Sequence, residues 1–131
     1  MKKAIYITCS VILFMFFACT KHKDDVEDTA PKASIHFQAP TPGATYSSTD
    51  SVLIQGNAVS SATIHGYDIV IRKTGDTGKL YFKRVHDHND TLHISTKWKP
   101  DVTNTDLQAE VILYLDHDGH TGNKKVTFRI Q

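Results

Sequence analysis

From residue 33 onward the chain alternates apolar and polar residues over short runs, and no stretch keeps its apolar residues at a 3.6-residue spacing. Ile35 and Phe37 alternate in ASIHFQ before Pro40-Thr41-Pro42-Gly43 breaks the run. Val52 and Ile54 alternate in a strand predicted to end at Gly56-Asn57. Tyr67, Ile69 and Ile71 share one parity in HGYDIVIRK, and Gly75-Asp76-Thr77-Gly78 turns the chain back. Leu80 and Phe82 follow, then the polar loop His86–Asp90, then Leu92 and Ile94. Beyond a crossover from Trp98 to Asp106, the residues Leu107, Ala109, Val111, Leu113 and Leu115 make the longest run. The last strand alternates Val126, Phe128 and Ile130 against Lys125, Thr127 and Arg129. Successive side chains of a strand point to opposite faces, so each of these seven runs offers one face to a core.

Seven short strands separated by turn signals every 8–12 residues or so, with no helix between them, predict an all-β domain. The spacing calls for a single seven-stranded sandwich of the immunoglobulin or fibronectin III-like kind over residues 33–131. That length is usual for one domain and buries enough surface to fold without cross-links. Trp98 is expected to close one end of the core. Leu53, Val70, Ile112 and Tyr114 carry the outward parity.

The first residues have a different pattern. Met1-Lys2-Lys3 is basic, Ala4 to Ala18 is apolar, and Thr20-Lys21-His22-Lys23-Asp24-Asp25 turns abruptly polar. A positive start, a short apolar stretch and a small residue before the cut form a secretory signal, and the stretch is shorter than the roughly 20 residues of a comfortable membrane span. Residues 1–18 are therefore expected to be removed, with the cut between Ala18 and Cys19. The segment Phe16-Phe17-Ala18-Cys19 resembles the bacterial lipoprotein signal, although Phe16 stands where leucine is usual. The resemblance implies lipid attachment at Cys19, a membrane partner through that lipid, and palmitate-type acyl chains that anchor without a spanning helix. A plain secreted protein with an incidental Cys19 is the other reading. Cys9 leaves with the signal, so no free thiol remains for catalysis, a disulfide or a thiolate metal site.

Residues 19–32 are polar and charged, and read as a flexible acidic tether. Asp24-Asp25-Val26-Glu27-Asp28 is similar to the acidic export signal of surface lipoproteins of the Bacteroidota type, which implies an outer-membrane location and surface display; an ordinary charged spacer is the alternative. Over most of residues 33–131 the chain resembles small immunoglobulin-like lipoproteins of unknown function from the same group. The residues that carry this are IHFQAPTPGATYSSTDSVLIQG, VHDHNDTLHI and LQAEVILYLDHDGHTGNKKVTFRI. The resemblance implies a fold and an export route and leaves activity open.

Charge removes one class of partner. Of 15 Lys and Arg residues, Lys2 and Lys3 leave with the signal, so 13 remain against 14 Asp and Glu, a net charge of −1. No electrostatic footprint for nucleic acid follows from that balance. No nucleophile elbow, phosphate-cradling glycine loop or His-Glu-x-x-His segment is present, so the chain is not expected to be an enzyme.

The unusual composition is eight histidines. His86 and His88 share one loop, His117 and His120 another, and His65 stands at a strand start. In an immunoglobulin-like topology these three connections gather at one end, the end antibodies use for recognition. His65, His86, His88, His117 and His120, with Asp116 and Asp118, are therefore candidate metal ligands. Imidazole and carboxylate donors in that mixture suit zinc or copper, whereas solvated loop histidines are the plainer reading. Asp116-x-Asp118-Gly119 departs from the helix-loop-helix calcium motif, with glycine at the fourth place and Thr127 at the twelfth. Three functions stand together at this point. The first is a lipid-anchored module that presents its loops outward to an unknown protein or glycan. The second is a metal-binding lipoprotein, and the third a structural spacer with an apolar patch on a sheet face.

Overall fold

The computed structural model describes residues 30–131, and the expected signal peptide and lipidated Cys19 lie outside the described residues. Among the described residues there is no helix. Eight strands form: β1 (Ala33–Ala39), β2 (Thr45–Tyr46), β3 (Val52–Ile64), β4 (Tyr67–Lys73), β5 (Tyr81–Val85), β6 (Asn89–Trp98), β7 (Thr105–Tyr114) and β8 (Thr121–Ile130). They make two sheets, of order β1-β3-β6 and β2-β8-β7-β4-β5. The all-β sandwich-like class expected from the alternation is what forms, with one strand more than expected.

The inner faces are the residues the alternation selects. Val52, Ile54, Ala58, Leu92 and Ile94 of one sheet meet Ile69, Ile71, Leu107, Ala109, Val111, Leu113, Val126, Phe128 and Ile130 of the other, all buried. Each fully buried Ile or Leu contributes about 1.5–3 kcal/mol relative to exposure. Trp98 ends β6 opposite Val52 and is buried in the core cluster, the packing role expected of it.

Three local expectations are corrected. The extra strand, β2, is two residues long and pairs in parallel with β8, Thr45 beside Arg129 and Tyr46 beside Ile130; two residues are too few to show an alternation. The second expected strand does not stop at Gly56-Asn57 but runs on to Ile64 as β3. Gly56 is a close-approach glycine within the strand and not a turn, because a Cβ there would stand 2.5 Å from the His36 carbonyl oxygen of β1. In β5 the inward parity belongs to Tyr81 and Val85, which pack against the core, while Phe82 points out with 45% of its surface exposed. A one-residue step exchanges the faces of a strand, and Leu80 lies just before β5 begins, half-buried beside the core.

The outward apolar face is also different from expectation. Val70 is only 1% exposed, Ile112 and Tyr114 are half-buried on the same sheet, and Leu53, also half-buried, belongs to β3 of the other sheet and does not share their face. Val70 lies between Phe82 and Glu110 in register. Glu110 is held by Arg72 Nη1 at 2.8 Å and Asn123 Nδ2 at 2.9 Å. Asp68, on the same face, accepts two hydrogen bonds from Arg84, both 2.7 Å, and one from the Tyr114 hydroxyl at 2.6 Å. Polar side chains bridge this face, so the strip is not a bare apolar patch.

Candidate functional site

Each candidate loop is short and pinned at both ends. The chain crosses from one sheet to the other through His65-Gly66, between β3 and β4. His65 N–H donates to the Tyr114 carbonyl at 2.7 Å, and Tyr114 N–H donates to the Gly66 carbonyl at 3.0 Å, which fastens the crossing to the end of β7. Gly66 has φ of 131°, and a Cβ on it would lie 2.5 Å from the Val85 carbonyl oxygen and 3.3 Å from His86 Cα. The absent side chain is therefore what lets the β5–β6 connection, His86-Asp87-His88, sit against His65. The β7–β8 connection folds on Asp116. Its Oδ1 accepts from the N–H groups of Asp118 and His120 at 3.0 Å each, its Oδ2 pairs with His120 Nδ1, and Gly119 supplies a φ of 96°.

These connections bring four imidazoles into contact. The His65 ring centroid lies 4.2 Å from that of His117 and 5.1 Å from that of His88. His86 and His88 are 4.7 Å apart, with their Nε2 atoms facing at 3.0 Å. His65, Arg84, His86, Tyr114, Asp116 and His117 line an open cleft of ≈ 280 Å³. His86, His88 and His117 are exposed, whereas His65 is half-buried. Its Nδ1 is buried without a hydrogen-bond partner.

The electrostatics follow from this crowding. Burial, then the neighbouring His117 and His88, depress the His65 pKa, while Asp116 acts in the opposite sense. Burial and the crowding of imidazoles thus disfavour the protonated form of His65. Burial works against the Asp116 charge, but hydrogen bonds from the His120 backbone and ring outweigh it and hold the carboxyl below its usual range. Arg84 at the cleft wall is paired: its hydrogen bonds hold the Asp68 carboxyl down against burial, with help from Tyr114.

The expected candidates thus separate. His65, His86, His88 and His117 come together. His120 is turned to Asp116, and the two shape their own loop. Asp118 is exposed near the loop tip, where its N–H serves Asp116. Among the described residues, no three His, Cys, Asp or Glu side chains are placed so as to hold a metal ion where they stand. Arg84 is a cleft residue absent from the sequence expectations, and Tyr114 was expected only as an outward apolar residue. A signal existed: Asp68 interrupts an otherwise apolar run, and a buried carboxylate needs a cation and donors nearby.

The end of the sandwich at which the chain enters is visible as well. β1 begins beside the far end of β3, with Ala33 opposite Ser60. Lys32 N–H donates to Ser61 Oγ at 3.0 Å, and Ser61 N–H donates to the Lys32 carbonyl at 2.9 Å. The chain therefore enters the domain at the histidine end, and the last residue of the expected tether is already tied to the sandwich.

No protein-family model matches the chain, and comparison with curated proteins finds no relative.

Proposed function

We propose that the chain is a lipid-anchored binding module of the immunoglobulin-like kind, held to the outer membrane through Cys19, whose recognition surface is the histidine end of the sandwich. The observation that carries this reading is the convergence of three separate connections on one cleft, which His65, His86 and His117 line while His88 packs against the His65 and His86 rings. Function on a rigid sandwich resides in such loops. The ligand class is a protein or glycan reached from the membrane side, because the tether joins at that same end and, fully extended, residues 19–32 reach roughly 50 Å. The spacer reading has less support, since the outward face that would have served it is bridged by Asp68, Arg84, Glu110 and Arg72.

Photo-crosslinking tests this in the intact envelope. A crosslinking amino acid replaces His117 in one chain and Thr103, in the β6–β7 connection at the other end, in a second. A discrete adduct from position 117 and none from 103 is the expected result. Adducts only from 103, or none from either position, would overturn the reading.

A further inference from the structure

We propose that His86 and His88, completed by His65 and His117, bind a divalent first-row transition-metal ion of the zinc–copper class. The inference rests on the binding-module reading only in taking the histidine end as the ligand-bearing end.

The first support is the spacing of two donors. The Nε2 atoms of His86 and His88 face one another at 3.0 Å. Two nitrogens bound to one ion at about 2.0–2.1 Å stand about 2.9 Å apart at a right angle and about 3.4 Å apart at the tetrahedral angle. The pair already has the separation of two ligands on a shared ion. Without an ion the contact is a hydrogen bond, and one Nε2 must carry a proton that the other accepts. An ion takes the Nε2 lone pair of each ring, and the proton that had been shared moves, through solvent, to Nδ1 of the ring that carried it.

The second support is His65. Its Nδ1 is buried and has no hydrogen-bond partner, an unusual state for a buried polar atom in a native fold. Its ring is also the hub of the cluster, touching both His88 and His117. The third is the freedom of the rings. His86, His88 and His117 are exposed, so each can change rotamer without disturbing the core. As they stand no three donors surround one point; the ion draws the third imidazole in by side-chain rotation.

The donor set selects the metal. Asp116, the carboxylate on the cleft, is engaged by His120 and by two backbone N–H groups. What remains is imidazole nitrogen, which suits zinc and copper and is a poor match for calcium or magnesium.

The test is calorimetry on the whole purified chain, stripped with chelator and titrated with zinc sulfate, copper sulfate or calcium chloride. One equivalent of zinc or copper is expected to bind, with no calcium response. An H86A/H88A double variant should raise Kd at least tenfold, and an H36A variant, at an exposed histidine of β1 outside the cluster, should leave it within about threefold. Failure of both transition metals to bind, or an unchanged Kd in H86A/H88A, would overturn the site. A second readout does not depend on any variant: the electron paramagnetic resonance spectrum of the copper-loaded chain should show coupling to at least two imidazole nitrogens. A spectrum without nitrogen coupling counts against the proposal. A chain that binds no metal but crosslinks from position 117 loses the metal site and keeps the binding end; one that binds metal without crosslinking does the reverse.

Discussion

Single atoms decide whether the histidine end exists. Gly66 is the plainest case, since its backbone lies in the region that side chains rarely adopt and its missing Cβ faces the Val85 carbonyl. Gly66→Ala is expected to cost about 1–3 kcal/mol from backbone strain, more if the clash is not relieved. It should also separate His65 from His86, so a thermal melt and a zinc titration on the same variant should both show a loss. Asp68 is a second case, 4% exposed and held by Arg84 and Tyr114. Its folded pKa is depressed, chiefly by the Arg84 hydrogen bonds. The stabilisation is therefore present above the unfolded carboxyl pKa of about 3.9 and is lost as pH falls through the lower folded value. Asp68→Ala should lose about 2 kcal/mol at neutral pH, and its melting midpoint should approach that of the native chain in strong acid. A gap that stays constant down to pH 2 would mean the carboxylate contributes by packing and not by charge. Arg84→Ala should be worse than Asp68→Ala at neutral pH, because it leaves a buried carboxylate with one hydroxyl donor.

At the scale of a strand, the face a residue occupies outweighs its hydrophobicity. Leu113 in β7 is fully buried, and Leu113→Ala should cost about 2–5 kcal/mol through lost burial and a cavity. Phe82 in β5 is the larger side chain, but it faces outward, with Lys79 Nζ 4.4 Å from its ring centroid. Phe82→Thr should cost less than about 2 kcal/mol, since nearly half of the ring is already exposed and its contacts with Lys79 and Arg84 contribute about 0.5–1 kcal/mol each at an exposed site. Denaturant melts of the two variants check the ordering, and a Phe82 loss as large as that of Leu113 would mean that β5 had been assigned the wrong face. β3 makes a related point. Its register against β6 slips between Val59 and Ile64, and the extra residues carry the strand to the place where His65 is handed to the opposite sheet.

For the whole molecule, the informative feature is where the chain enters. Lys32 and Ala33 lie at the histidine end, so a lipid anchor at Cys19 and the proposed recognition surface would share one pole of the sandwich. If Cys19 bears the lipid, Cys19→Ser should move the protein from the membrane fraction to the soluble fraction while leaving the domain's melting midpoint within about 2 °C, because the first strand of the sandwich begins only at Ala33. Fractionation and a melt on the same preparation check both halves. Unchanged membrane association in Cys19→Ser would remove the lipid from the account.

What could be read from the sequence alone was whatever depends on a local period: the all-β class, the positions of most strands, the inward residues of β3, β4, β7 and β8, and Trp98 as core. Two-residue spacing is a property of a single strand and needs no partner to be visible. The loops that hold the histidines were also legible, since polar runs between alternating segments mark themselves. Tertiary structure decided the rest. Gly56 reads locally as a stop and becomes a strand residue only because β1 crosses over it. Phe82 reads as core and is turned out by where β5 begins. Four of five candidate histidines meet because Gly66 allows two connections to touch, while His120 is claimed by Asp116 four residues away. The entry of β1 at the same pole as the histidines is a matter of strand direction within a sheet. Pairing direction is set between segments far apart in the chain, and no local pattern of residues encodes it.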